Sequence, residues 1–262
     1  MTAIYLSGAA LIGPGLNGWQ QAAPILRGEQ PYQPAPLAGL APALLPANER
    51  RRATTTIKLA LQVAHEAMQD HDADHGLQFV FVSSLGDSHI TDKICRALAQ
   101  PERPVSPTHF HNSVHNAPAG YFAIAARSQA PSLSIAAGQA SFGIGLLEAV
   151  AQVATERENV LLIAYDSLPP EPIREKSGID ADFAAALLLT PQPVASTRCR
   201  LDLTLDTAAT ADRLDDPALE RLRQSNPMAC SLPLLAALAR GGGEAHLPYL
   251  DERALRVVLR PC

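Results

Sequence analysis

The sequence predicts an α/β protein, and three observations carry that prediction. Short apolar runs of strand length alternate with segments of helical periodicity. Residues 199–205 alternate Leu201, Leu203 and Leu205 with Arg200, Asp202 and Thr204, the period of a half-exposed strand. The run Ser132-Leu133-Ser134-Ile135-Ala136-Ala137-Gly138-Gln139-Ala140-Ser141-Phe142-Gly143 and onward to Ala149 reads as strand, tight turn and helix. That layout lifts one side chain to an apex where many enzymes hold a nucleophile.

The elements follow in order. Residues 4–12 make a first strand, closed by Gly13-Pro14-Gly15, and a short helix is expected over 17–28. Five prolines within 31–47 make that stretch an irregular loop. The clearest helix spans 53–69, with Ile57, Ala60, Val63, Ala64, Ala67 and Met68 on one stripe. A buried strand is expected over 78–83, a helix over 90–99, and another over 112–126 that Pro118 and Gly120 interrupt early. After the strand–turn–helix come strands over 159–164 and 182–189. Residues 207–226 mix loop and helix. A small apolar helix over 231–240 stops at Gly241-Gly242-Gly243, and 255–259 is a last strand. No internal repeat or disordered tail is expected.

A length of 262 residues with 47% hydrophobic and 18% charged content is ordinary for one large domain or two small ones. The formal net charge is −5, and no Lys/Arg-rich block is present. Nucleic acid and anionic membranes are therefore poor partners. Arg50-Arg51-Arg52 reads as a solvated helix start. Four cysteines without a C-x-x-C pair suit a reduced compartment. The N-terminus lacks the basic region of a signal peptide, and no apolar stretch is of membrane length. The expected location is the cytoplasm. No cofactor is expected. Residues 138–143 fit the first six positions of a phosphate loop, but Ile144-Gly145 replaces its Lys-Ser/Thr, and the dinucleotide glycine spacing is absent. A turn whose glycines only permit close packing remains the plain alternative.

The apex residue is Gln139, and an amide cannot attack a carbonyl or thioester as Ser or Cys does. Ser141 is flanked by Gly138 and Gly143 at the wrong distances for a hydrolase elbow and reads as a helix cap. Cys230 lies outside the turn and reads as a small buried hydrophobe. On an extended strand, His109-x-His111 would put two imidazoles on one face, with His115 four residues on. No acidic or Cys residue stands nearby to complete a site, so these read as hydrogen-bonded structural histidines, and no metal is expected. Asp70, His71, Asp72, Asp74 and His75 read as a solvated loop, and His246 as a loop or strand-edge residue.

The segment around Gln139 resembles the nucleophile turn of β-ketoacyl synthases, T-A-C-x-S/T-S-G. Counting back from Gly143, Ala137 takes the place of the Thr and Gly138 that of the Ala. Gln139 then falls where the Cys stands. Pro131 and Ser134 match the strand that enters the turn. The opening strand from Ile4, Gly18-Trp19, Arg51-Arg52 with the helix up to Glu66-Ala67, Phe79 to Gly86, and Val105 to Gly120 are similar to the family in order and spacing. The resemblance implies an α/β, thiolase-like fold of the five-layer ketosynthase type with a truncated second half. Residues 1–190 would be the ketosynthase-like N-terminal half, and 191–262 a reduced remnant packed into the same domain.

Active ketosynthases place two histidines in the second half, in H-G-T-x-T and K-x-x-x-G-H. Here only His246 follows His115, and neither motif is present. The nearest counterpart of the second motif is Asn226-Pro227-Met228-Ala229-Cys230. Leu255-Arg256-Val257-Val258-Leu259 resembles the family's last strand. The resemblance therefore implies no catalytic residue and no enzyme. It implies a chain-length factor of a type II polyketide system, and more narrowly one like those of aryl polyene pigment clusters. Its partner would be an active ketosynthase in a heterodimer, with acyl carrier protein met only indirectly. His109, Phe110, His111, Asn112, Asn116 and Phe122 would lie at the interface or the acyl tunnel, with Phe110 helping to close it. Two alternatives stay open: a Gln-type malonyl-carrier-protein decarboxylase supplying primer, and a standalone scaffold for biosynthetic enzymes. A reduced second half would also leave apolar surface uncovered, so the chain alone would self-associate.

Overall fold

The computed structural model describes residues 3–37, 39–69, 77–206, 209–250 and 253–262. The expected Asp/His cluster at 70–75 lies outside them. The first elements are β1 (Ile4–Gly13), β2 (Leu16–Asn17), α1 (Trp19–Leu26), α2 (Ala47–Arg52), α3 (Thr55–Ala67), β3 (Leu77–Val82) and α4 (Ser88–Leu98). Next come α5 (Pro107–Asn112), α6 (Ala117–Ala126), β4 (Ser132–Ile135), a 3-10 turn at Gly138–Ala140, α7 (Ser141–Glu156), β5 (Asn159–Asp166), α8 (Ile173–Ser177) and β6 (Phe183–Thr190). The rest is β7 (Cys199–Asp206), α9 (Pro217–Gln224), a 3-10 turn at Pro227–Ser231, α10 (Leu232–Ala239), β8 (Gly243–Pro248) and β9 (Ala254–Pro261).

One mixed sheet runs in the order β4-β3-β5-β6-β1-β7-β9-β8, with β2 paired to β1. Strands β4, β3 and β5 are parallel, and every other pairing is antiparallel. The two-residue period sorts the side chains. Phe79, Phe81, Leu161, Ile163 and Tyr165 enter one core with Ile57 and Leu61 of α3 and Phe122 of α6. Val80, Val82, Leu162 and Ala164 enter the other with Phe142, Leu146, Ala149 and Val153 of α7. Strands covered on both faces read as unbroken apolar runs, which is why β3, β5 and β6 stand out in the sequence.

The residues after 190 take a definite form. Strands β7, β9 and β8 continue the same sheet beyond β1, through Ile4–Leu6 against Cys199–Leu201. Among the described residues they build no further stacked sheet, so the layers are helix, sheet, helix. Ala245, Leu247, Leu255, Val257 and Leu259 join the α7 side of the core. The opposite face is charged: Asp202 pairs with Arg200 and Arg260, and Glu244 with Arg256.

Local readings change in three places. The expected helix over 112–126 starts only at Ala117, and a separate short helix, α5, ends at Asn112. Pro118 stands in the first turn of α6, where a missing N–H costs nothing, so it starts the helix instead of interrupting it. Arg50, Arg51 and Arg52 close α2, where cations suit the helix dipole; Thr54 caps α3 by accepting the Ile57 N–H. The three glycines end α10 as expected, but Gly243 opens β8, and His246 lies on this edge strand.

Candidate functional site

Strand β4 forms one edge of the sheet and leads directly into the candidate turn. Gly138 has φ +55°, the left-handed region that favours glycine, and turns the chain. Gln139 follows in the 3-10 turn and is exposed. The buried Ser141 hydroxyl accepts the Ala137 N–H at 2.8 Å and donates to the Gly138 carbonyl at 2.7 Å. It locks the turn from inside and does not cap the helix as expected. Close packing holds the other glycines. A Cβ on Gly143 would meet the Pro248 carbonyl oxygen at 2.5 Å, and one on Gly145 would run into Val82.

The 3-10 turn at Pro227–Ser231 packs against the Gln139 turn, so the two segments matched to ketosynthase catalytic motifs do come together. The second presents Met228, Ala229, Cys230 and Ser231, all buried. Asn226 pins it: Oδ1 accepts the Met228 N–H at 2.8 Å, and Nδ2 donates to the carbonyls of Ala181 and Asp166. Burial pushes the Cys230 thiol up from its ordinary value, so it stays protonated and inert.

An acidic group does lie at the carboxyl ends of the parallel strands. Asp166 ends β5 and accepts from Ser83 Oγ (2.6 Å), Ser84 Oγ (2.5 Å) and the Ser84 N–H (3.1 Å). Its burial raises its pKa, and those hydrogen bonds oppose the rise. His89 and His115 contact the carbonyls of Leu168 and Ser83 at 2.9 and 3.0 Å. These are structural contacts. His109 and His111 sit on α5, where neighbours two apart diverge, so the one-face arrangement of an extended strand does not arise.

The six expected interface or tunnel residues separate into two groups. Phe110 is 70% exposed, His111 and Asn116 are exposed, and His109 is half-buried. Asn112 is buried and accepts from the Tyr121 hydroxyl at 3.2 Å. Phe122 is buried in the aromatic cluster with Phe79 and Phe81, so it supports α6 from beneath instead of facing outward. Sequence reasoning missed an apolar groove of about 530 Å³ lined by Leu44, Leu45, Val114, Ala117, Tyr121 and Ile124, with His111 and Asn116 also on its wall. A signal was there: α6 is apolar on all sides, yet Ile124 is 82% exposed.

The mixed sheet covered by helices, with the strand–turn–helix at its β4 edge, defines a thiolase-like fold. The chain belongs to the family of the β-ketoacyl synthase N-terminal domain, whose profile matches residues 19–251. It is similar to a chain in the complex of the ketosynthase ApeO with its chain length factor ApeC from Xenorhabdus doucetiae. Identity there is 23%, over 98% of this chain and 100% of that one, with a TM-score of 0.75. The ishigamide ketosynthase/chain length factor gives 13% identity, 99% coverage of each chain and a TM-score of 0.75. A β-ketoacyl synthase from Burkholderia phymatum STM815 gives 13% identity, 86% of this chain, 70% of that chain and a TM-score of 0.62. No curated protein sequence matches. Among the described residues, no helix is long and apolar enough to cross a membrane.

Proposed function

We propose that this chain is a non-catalytic, chain-length-factor-like subunit that pairs with an active β-ketoacyl synthase and helps shape its acyl tunnel in polyketide or fatty-acid-type elongation. The observation that carries the reading is Gln139 at the apex of the strand–turn–helix, at the position matched to the family's nucleophile. Condensation needs a thiolate to hold the acyl chain and groups that polarise the second thioester. The turn offers an amide, and the facing segment offers Met228, Ala229 and a buried thiol.

The partner reading is supported by one side of the molecule. Strand β4 lies at the sheet edge with Leu133 42% exposed, and none of its residues is charged to discourage pairing. Phe110, Val114 and Ile124 are exposed on α5, α6 and the link between them. Large exposed apolar side chains grouped on one side mark an interaction surface. Two of the similar structures are of ketosynthase/chain length factor pairs.

Co-expression with active β-ketoacyl synthases from the same organism tests the reading. A stable one-to-one complex by size-exclusion chromatography with light scattering is expected, and Leu133→Lys is expected to dissociate it. Phe110→Ala should lengthen the product distribution of the reconstituted pair. Condensation or malonyl decarboxylation by the purified chain alone, lost in Gln139→Ala, would overturn the non-catalytic reading.

A further inference from the structure

Strand β8 is the second edge of the sheet, at the opposite end from β4. An edge strand offers unpaired N–H and C=O groups, a template on which another chain can pair. In an antiparallel pair, alternate residues turn these groups toward the neighbour and away from it. On β8 those of His246 turn away from β9. Its N–H donates to Asp212 Oδ2 at 2.8 Å, and its C=O accepts the Asp212 N–H at 2.9 Å. Glu244 and Pro248, two residues to either side, therefore face outward as well, and Pro248 has no N–H to offer.

Asp212 thus covers the middle of this edge. It belongs to the link between β7 and α9 and is half-buried. Its second carboxylate oxygen lies 3.3 Å from His246 Nδ1. Across the ring, Glu244 and Asp206 stand 3.5 and 3.9 Å from Nε2, and Arg256 of β9 pairs with Glu244. A further anchor of the link is the Leu214 N–H, which donates to Glu220 of α9 at 3.0 Å.

We propose that Asp212 is a guard that withholds the β8 edge from a second copy of this chain. Uncovered, β8 pairs antiparallel with β8 of another copy about a two-fold axis through Ala245. Glu244 of each copy then faces His246 of the other, and the outward N–H and C=O groups of both residues meet. The side chains agree with this register. Ala245 and Leu247 are buried in the core, while Glu244 and His246 lie on the outer charged face. Each carboxylate therefore meets an imidazole that can donate to it. An axis through Glu244 or His246 would instead set two carboxylates or two imidazoles against each other. With Asp212 seated, β4 is the edge left open, and the sheet can be extended from one end only.

The test starts from Leu133→Lys, in which a charge blocks the β4 edge. Sedimentation equilibrium compares this parent with the same chain carrying Asp212→Ala, which is expected to self-associate at least tenfold more tightly. Asp212 stands in a link outside helices and strands, so its replacement leaves the core intact. Adding Glu244→Pro removes an outward N–H, spares the pairing with β9 and should return association to the parent value. Asp212→Asn keeps an acceptor for the His246 N–H and should match the parent. Amide exchange read by NMR gives a second measure. In the parent, the His246 amide should be protected and the Glu244 amide free; in Asp212→Ala both should be protected. Association unchanged by Asp212→Ala, a gain that survives Glu244→Pro, or a Glu244 amide as protected as that of His246 in the parent would overturn the proposal. No ketosynthase is present, so these outcomes are independent of the subunit reading.

Discussion

Replacing Gly143 by alanine sets two opposing effects against each other. Gly143 lies in the first turn of α7, and alanine there gains up to about 1 kcal/mol of helix propensity. The new Cβ, however, would stand 2.5 Å from the Pro248 carbonyl oxygen and 3.4 Å from Leu255 Cδ1. A backbone carbonyl cannot rotate away as a long side chain can. Pro248 is paired with Ala254 across β8 and β9, so relief requires moving strand or helix by several tenths of an ångström. Overpacking of this kind costs about 1–3 kcal/mol. The net effect expected is a loss of about 1–2 kcal/mol, which lowers Tm by roughly 2–8 °C in a chain of this size. Gly120 in α6 is the internal control, because a Cβ there meets nothing within 4 Å. Gly120→Ala should gain up to about 1 kcal/mol and raise Tm. Thermal and urea melts of the two variants should move in opposite directions. If Gly143→Ala stabilises as Gly120→Ala does, the close approach of α7 to β8 is wrong, and so is the seating of the Gln139 turn against the second half of the chain.

Three further outcomes are expected. Tyr165→Phe should leave stability unchanged or raise it, because it removes an unpartnered buried hydroxyl; a loss above about 1 kcal/mol in urea would show that the hydroxyl is paired. Asp166→Ala leaves Ser83 Oγ, Ser84 Oγ and the Ser84 N–H without an acceptor and should cost about 3 kcal/mol, read by the same urea titration. The hydrogen bonds from Arg223 hold Glu220 at about 2. A depressed carboxylate stabilises above its unfolded value of about 4.5 and loses that stabilisation as pH falls toward 2. Stability measured from pH 5 to 2 should therefore fall less steeply in Glu220→Gln.

Much of the frame was legible because local signals agreed. Residues 53–69 carried helical spacing, β3, β5 and β6 were apolar runs, and Gly138 marked the turn. Strand β8 escaped notice because only Ala245 and Leu247 alternate in it, directly behind three glycines that signal an ending. The histidines at 109 and 111 misled because Ser106 caps a short helix there, turning an assumed two-residue period into a helical one. Site contacts were hidden for a different reason. The register Val82↔Ala164 carries Ser83 and Ser84 to Asp166, and α5 and α6 meet the 44–49 segment only in the folded chain. Such pairings leave no trace in local pattern.

Strand β1 is synthesised before the other strands of this sheet, yet it sits inside it between β6 and β7. Those two flanking strands emerge some 170 residues or more after it, which at ribosomal rates of roughly 5–20 residues per second is about 10–40 s later. The parallel trio β4-β3-β5 is complete by Asp166, before β6 appears. The β4 edge is thus formed and open while the chain's own sheet still lacks its centre. A partner made at the same time and place could meet that edge during synthesis, and the unshielded apolar strand would then have little time to find a wrong one.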